Sequence, residues 1–386
     1  MAASVQLRKF LLVPLWLVCW HAATGQVVTP ESQPSNILLP ATNMPPLEVE
    51  VSSIPVDEEM MDAMGYFNAS SVFRLFYSVL QDARSRDRYR LSRPRQQELD
   101  IIVKRLEASF PMSFEYHYAQ WLNHPFDTAN AFHLHEAYRL APEPSILLDD
   151  KVAHYELIND LEKKSLYCKL IYQSRLYDSA IYHYAHNLLR SVQPGAFLVT
   201  RGEWDTHPVW VLQHIFGQKT DVTILQMDLL HQEHYFNRVM EPFALRRGAY
   251  RRFLHNKPAF FRELAEASSH KQPVYLSLTL DREFLENTAD LLYNTGLAMR
   301  LSVEPFQNLA ILAENWQSFS IQHLEQIPSD PEIAGMMGNY IFPMALLYQQ
   351  AVSKGQEKDA LEFRRLMHTV AQQAGLTSEL EQYLQQ

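Results

Sequence analysis

The chain of 386 residues contains only two cysteines, Cys19 and Cys168. Because Cys19 lies in a predicted leader, cleavage would leave one cysteine, which cannot form an intramolecular disulfide. Stability must then come from the hydrophobic core, which a chain of this length can supply. An exported protein without disulfides is more typical of a bacterial periplasm than of eukaryotic secretion. We expect Cys168, in a segment rich in Tyr and Leu, to be buried.

Glycine is also scarce, with 11 residues against 19 Tyr and 20 Phe, a balance that favours packed helices. Basic residues are outnumbered, since 34 Lys and Arg stand against 44 Asp and Glu and give a formal charge of -10. Such a surface repels phosphate backbones, so we expect no nucleic-acid partner. No long apolar run follows the leader, which predicts no transmembrane segment in the mature chain.

Residues 1–25 have the pattern of a signal peptide. Arg8 and Lys9 precede an apolar run at 10–20, and Ala23 and Gly25 are small residues where a signal peptidase cleaves. The alternative, a membrane anchor, needs about 20 apolar residues, which this run does not reach. Residues 26–56 are rich in Pro and lack aromatics. They are therefore predicted to form an extended tether.

Residues 57–190 are predicted to form a helical domain. Its stretch 113–146 resembles a tetratricopeptide unit, because Phe114, Trp121, Ala137 and Pro142 stand where that repeat has its large, aromatic, small and terminating residues. An unrelated helical hairpin fits the pattern equally well. Residues 306–386 are predicted to form further helical hairpins of this kind, with a turn at Gly355 between helices at 340–354 and 356–374.

Between them, residues 191–305 alternate apolar strand-like runs with helical segments. Four strands are predicted, at 196–200, 221–227, 273–280 and 297–303. Helices are predicted at 208–216, 231–239, 258–267 and 283–293. Such alternation favours an α/β fold, here a mostly parallel sheet of about four strands flanked by helical hairpins.

The loop after the first predicted strand carries the main candidate site, since ligands of open α/β sheets bind at the carboxyl ends of strands. Glu203, Asp205 and His207 could act as an acid–base set or as metal ligands. The simpler interpretation, which we favour, is that Asp205 or Thr206 caps a helix whose first turn contains Pro208. We expect no metal and no cofactor. The candidate binding residues are Arg201, Gly202, Trp204, Asp205, Thr206 and Trp210.

The segment 188–230 resembles the soluble C-terminal part of a family of bacterial, Bacteroidetes-type membrane proteins, the domain of unknown function 2723 family, whose multi-span half is similar to protein O-mannosyltransferases. Matching positions include Gly202, Asp205, Thr206, Pro208 and Trp210, and the stretch at 296–301 followed by Pro305 also fits. His207 stands where an aromatic is usual, and Arg201 replaces a small polar residue. The resemblance extends from about residue 184 to the C-terminus but omits the multi-span half. It therefore implies an exported compartment and the fold, and does not transfer a glycosyltransferase activity.

Together these features predict a periplasmic or secreted, non-enzymatic binding or scaffold protein of the cell envelope, whose partner is an envelope protein or glycan. The alternative is an enzyme that acts on envelope glycans or glycoproteins, with its site in the loop at 202–208.

Overall fold

A computed structural model describes residues 68–87, 91–268, 272–281 and 285–384. The predicted signal peptide at 1–25 and the predicted tether at 26–56 lie outside these residues. The described residues divide into two compact units, one before and one after the boundary between Tyr167 and Cys168. Within the described ranges, no helix combines the length and the apolar character that a membrane crossing needs.

The first unit is helical. Its core is built from buried side chains of the first four helices, where aromatics such as Phe76 and Trp121 lie among aliphatic residues such as Leu99 and Leu106. Its helices are α1 (Ala69–Asp87), α2 (Arg93–Ser109), α3 (Phe114–Asn123), α4 (Ala131–Leu140), α5 (Leu148–Leu157) and α6 (Leu161–Ser174), of which α6 crosses the boundary between the units.

The segment 113–146, for which a hairpin is predicted, contains the helices α3 and α4. Helix α3 begins after Ser113, whose Oγ accepts a hydrogen bond from the backbone N–H of Tyr116 at 3.1 Å. It ends at Asn123, just before the His124-Pro125 pair, because a residue preceding proline is disfavoured in helical conformation. Ala137 on α4 is fully buried, as expected of a small residue that lets two helices approach.

The second unit contains a five-stranded sheet made of β1 (Phe197–Thr200), β2 (Thr223–Gln226), β3 (Val274–Ser277), β4 (Leu292–Asn294) and β5 (Ala298–Leu301). The strand order in the sheet is β2-β1-β3-β5-β4. Strand β1 pairs in parallel with both β2 and β3, while β5 is antiparallel to β3 and to β4. The sheet is therefore mixed, and the predicted mostly parallel sheet of about four strands is wrong.

A hairpin accounts for the error. Strands β4 and β5 are joined by the short turn at 295–297, and a turn of this length can connect only antiparallel strands. Gly296 in the turn has φ +141° and lies so close to Ser191 that an added Cβ would fall 2.3 Å from the Ser191 Oγ. The helix predicted at 283–293 is correspondingly wrong at its end, where Leu292 and Tyr293 belong to β4; residues 282–284 lie outside the described ranges.

Helices flank the sheet. Cys168 on α6 is fully buried, as predicted. The segment predicted to form a C-terminal hairpin contains α14 (Ile341–Ser353) and α15 (Glu357–Gln373), with Gly355 between them at φ +70°. The further helices of this unit are α7 (Ser179–Arg190), α8 (Glu203–Phe216), α9 (Glu233–Met240), α10 (Ala249–His255), α11 (Lys257–Ser268), α12 (Asn308–Gln317), α13 (Pro331–Met337), α14 (Ile341–Ser353), α15 (Glu357–Gln373) and α16 (Thr377–Leu384).

Candidate functional site

The candidate loop forms the start of α8, directly after β1. The helix begins at Glu203, earlier than predicted, and Gly202 precedes it with an extended φ of -170°. Asp205 is the third residue of the helix. Its Oδ1 accepts the backbone N–H of Gly202 and its Oδ2 that of Arg201, each at 3.0 Å. The carboxylate therefore caps the helix from inside its first turn, and Pro208 lies deeper in the helix than a first-turn proline.

The Asp205 carboxylate also ties the helix to the sheet. The hydroxyl of Thr279, which follows β3, donates to Asp205 Oδ2. The hydroxyl of Thr206 donates to that of Thr200, at the end of β1, at 2.7 Å. Asp205 is 2% exposed, and Thr200 and Thr206 are fully buried. These side chains hold the end of β1, the start of α8 and the loop after β3 together.

His207 lies on the other side of the helix. Residues two apart in an α-helix are separated by about 200° around its axis, so Asp205 and His207 point in different directions. His207 is 1% exposed, its Nδ1 lies 3.3 Å from the Tyr177 hydroxyl, and its ring stacks on Trp210 at a centroid distance of 5.3 Å. The rings of Trp204 and Tyr177 make an edge contact, with their centroids 6.0 Å apart. His207, Trp204 and Trp210 are thus packed with Tyr177 in an aromatic cluster.

The accessible part of the loop is polar and charged. Glu203 and Arg201 are exposed, and the Arg201 guanidinium lies 3.7 Å from the buried carboxylate of Asp281. Burial and the neighbouring charge of Asp330 raise the pKa of Glu332, while the charge of Arg201 opposes that rise. A partly exposed guanidinium among carboxylates is a hydrogen-bonding surface for polar groups.

The structure therefore separates the three candidate catalytic residues. Glu203 faces solvent, Asp205 is committed to backbone and hydroxyl groups, and His207 is packed against aromatic rings. Among the described residues, no group of three His, Cys, Asp or Glu side chains is arranged to hold a metal ion. Of the candidate binding residues, Arg201 is exposed and Gly202 and Trp204 are partly exposed, whereas Asp205, Thr206 and Trp210 are buried.

Sequence reasoning missed two residues of this arrangement, Thr279 and Asp281. Both follow β3, so the rule that directed attention to the end of β1 applied equally to them. Thr279 lies within the strand predicted at 273–280 and was therefore not considered as a residue of the loop. Asp228, which follows β2, lies at the same edge, since its Oδ2 would be 4.0 Å from a Cβ added to Gly202.

Comparison with known families gives one match. The model of TMEM260-associated domain 2 matches residues 181–244, a stretch that includes most of α7, then β1, α8, β2 and α9. The TMEM260 family is related to protein O-mannosyltransferases. Neither a curated protein nor a solved structure matches the chain.

Proposed function

We propose that this chain is an exported, non-enzymatic binding protein of the cell envelope, located in the periplasm or outside the cell, whose α/β unit recognises a glycan or a glycoprotein. The observation that carries the proposal is the commitment of Asp205. Its carboxylate accepts hydrogen bonds from two backbone N–H groups and one hydroxyl. A carboxylate used in this way is poorly placed to exchange protons with a substrate, because each departing bond would leave a buried donor unsatisfied.

The remaining accessible groups suit recognition. Arg201 presents a half-exposed guanidinium beside Asp281, and Glu203 adds a carboxylate at the first position of the helix. Donors and acceptors alternating on a rigid sheet edge can bind the hydroxyl groups of sugars without bond making or breaking. The match to a TMEM260-associated domain supports a role beside membrane proteins related to O-mannosyltransferases. Glycans and glycoproteins would be present near such proteins.

Binding to an array of neutral and acidic glycans tests the proposal. Arg201→Ala and Glu203→Ala should each lower the affinity for the glycans that bind about three- to ten-fold, because each removes one or two surface hydrogen bonds. Glu357→Ala is the matched control, because Glu357 is also exposed and also opens a helix, α15. Equal losses in Glu357→Ala, or no change in either site variant, would remove this surface from the proposal.

The rival function, an enzyme acting on envelope glycans, has a separate signature. A metal-dependent site would make the folded state more stable when the ion is bound, by mass action. A chelator should then lower the melting temperature, and His207→Ala should abolish that response. We expect the melting temperature to be the same with and without chelator.

A further inference from the structure

We infer that the segment around α10 forms a second binding surface, which takes an extended acidic polysaccharide. The segment 238–262 contains six Arg and one Lys against a single acidic residue, Glu241, in a chain whose formal charge is -10. This inference deepens the proposed function and rests on it for the choice of a glycan, because an exported protein meets acidic glycans. The surface lies apart from the Asp205 loop in sequence and was not indicated by the motifs.

A partly buried ion pair between Arg252 and Glu263 fixes the conformation of this segment. Glu263 on α11 is 9% exposed, and its Oε1 accepts the backbone N–H of Arg246 at 2.6 Å. Its Oε2 accepts from Arg252 Nε at 2.8 Å. The same Arg252 guanidinium donates to the carbonyl oxygens of Arg246 and Arg247, each at 2.9 Å. One carboxylate and one guanidinium thus fix the backbone of the turn that carries two further arginines.

Gly248 completes this turn. It has φ +80°, a conformation that costs glycine little and other residues more. Helix α10 starts at Ala249, so Arg247 lies two residues before the helix, and Arg251 and His255 lie within it at a spacing of four residues. Residues four apart lie on one face of a helix, about 6 Å apart along its axis. All three side chains are exposed.

The exposed guanidinium groups are available to a ligand. Arg246 has Glu263 and Glu266 as partners. In the part of the chain that the structure describes, no ion pair or hydrogen bond engages the guanidinium group of Arg247 or that of Arg251. Guanidinium groups bind carboxylates and sulfates through paired hydrogen bonds, and a preformed backbone lowers the entropy lost on binding. The acidic remainder of the chain repels a polyanion and so restricts it to this segment.

The chemistry of the surface favours a glycan over the other polyanions. None of the exposed large hydrophobic side chains of the described residues falls within 238–262, and Phe253 and Ala249 of α10 are buried. A helix that binds a membrane surface inserts apolar side chains into the lipid, and a protein interface has an apolar core. A polysaccharide carrying regularly spaced anionic groups needs neither feature.

The test measures the dissociation constant of the full mature chain for a fluorescent heparin oligosaccharide, with poly-L-glutamate, duplex DNA and phosphatidylglycerol vesicles as competing probes. The oligosaccharide should bind, and binding should weaken as salt is added. The double variant Arg247→Ala/Arg251→Ala should lose about ten- to twenty-fold in affinity, since one surface ion pair accounts for about three- to five-fold. Arg364→Ala, an exposed arginine on α15, is the matched control.

The inference is overturned if heparin does not bind, if the double variant binds as the wild type does, or if Arg364→Ala weakens binding equally. Stronger binding of poly-L-glutamate, DNA or vesicles than of heparin would overturn the choice of a polysaccharide. Each of these failures leaves the effects of Arg201→Ala and Glu203→Ala on the glycan array unchanged, so the failure of this inference and that of the proposed function remain distinguishable. An unaltered melting temperature shows that the double variant is folded.

Discussion

Replacing Asp205 by Ala tests whether this carboxylate is part of the scaffold. The substitution removes the acceptor of the backbone N–H groups of Arg201 and Gly202 and of the Thr279 hydroxyl. Loss of a helix cap costs about 0.5–2 kcal/mol, and leaving a buried donor unsatisfied costs about 1–3 kcal/mol. Arg201 is exposed, so water can replace the acceptor that its backbone N–H loses. We therefore expect a total loss of about 2–4 kcal/mol in the free energy of unfolding.

Urea unfolding followed by tryptophan fluorescence measures this loss, and Trp204 and Trp210 lie on the affected helix. In a melt the loss corresponds to a fall of roughly 5–10 °C in the melting temperature. Asp205→Asn keeps one acceptor oxygen and should lose about half as much as Asp205→Ala. Glu203→Ala, at an exposed position of the same turn, should change stability by less than about 0.5 kcal/mol. An Asp205→Ala protein with wild-type stability and no glycan binding would refute the scaffold role.

Two further predictions concern stability. Burial, followed by the charge of His135, lowers the pKa of His154 from its ordinary 6.5 to about 4. Below pH 4 the folded and the unfolded chain both bind this proton, and above pH 6.5 neither does. Between these values only the unfolded chain binds it, so the helical unit should gain stability as the pH rises. His154→Leu should flatten that part of the stability–pH curve, by up to about 3 kcal/mol, and an unchanged slope in urea unfolding at pH 4.5 to 6.5 would contradict this. Gly296→Ala should lower the free energy of unfolding by more than about 3 kcal/mol, because the added Cβ would lie 2.3 Å from the Ser191 Oγ. Gly355→Ala should lower it by only about 1 kcal/mol, since Gly355 has φ +70° but nothing within 4 Å of the added Cβ. Equal losses of stability in thermal melts would show that the close packing at Gly296 does not matter.

Local sequence signals predicted α8, α9, α11 and the first three strands, whereas α10 was not predicted. The apolar run before Gly202 is bounded by Gly195 and Gly202, and the ending of α3 at His124-Pro125 follows from proline geometry. His133 and His135 point to different helix faces, as their spacing requires: His133 Nδ1 lies 2.9 Å from His117 Nδ1, and His135 Nδ1 lies 2.7 Å from Lys151 Nζ.

Features decided by distant contacts escaped prediction. The run ending in Leu292 and Tyr293 resembles an amphipathic helix, and only its pairing with β5 makes it a strand. The capping role of Asp205 was correctly expected in kind, but its position within the helix depends on the extended conformation of Gly202. The cationic surface at α10 was overlooked because motif searches emphasise acids, histidines and glycines, although a count of charges along the chain would have revealed it.

The central claim, that the chain binds a glycan without altering it, is tested most directly by mass spectrometry of the bound ligand. Glycans retained on the array would be incubated with the full chain for a day and released, and their masses would be measured. The account predicts that every retained glycan is recovered with unchanged mass. A mass change that reflects hydrolysis or group transfer, present with the wild type and lost in Glu203→Ala, would contradict it and establish an enzyme.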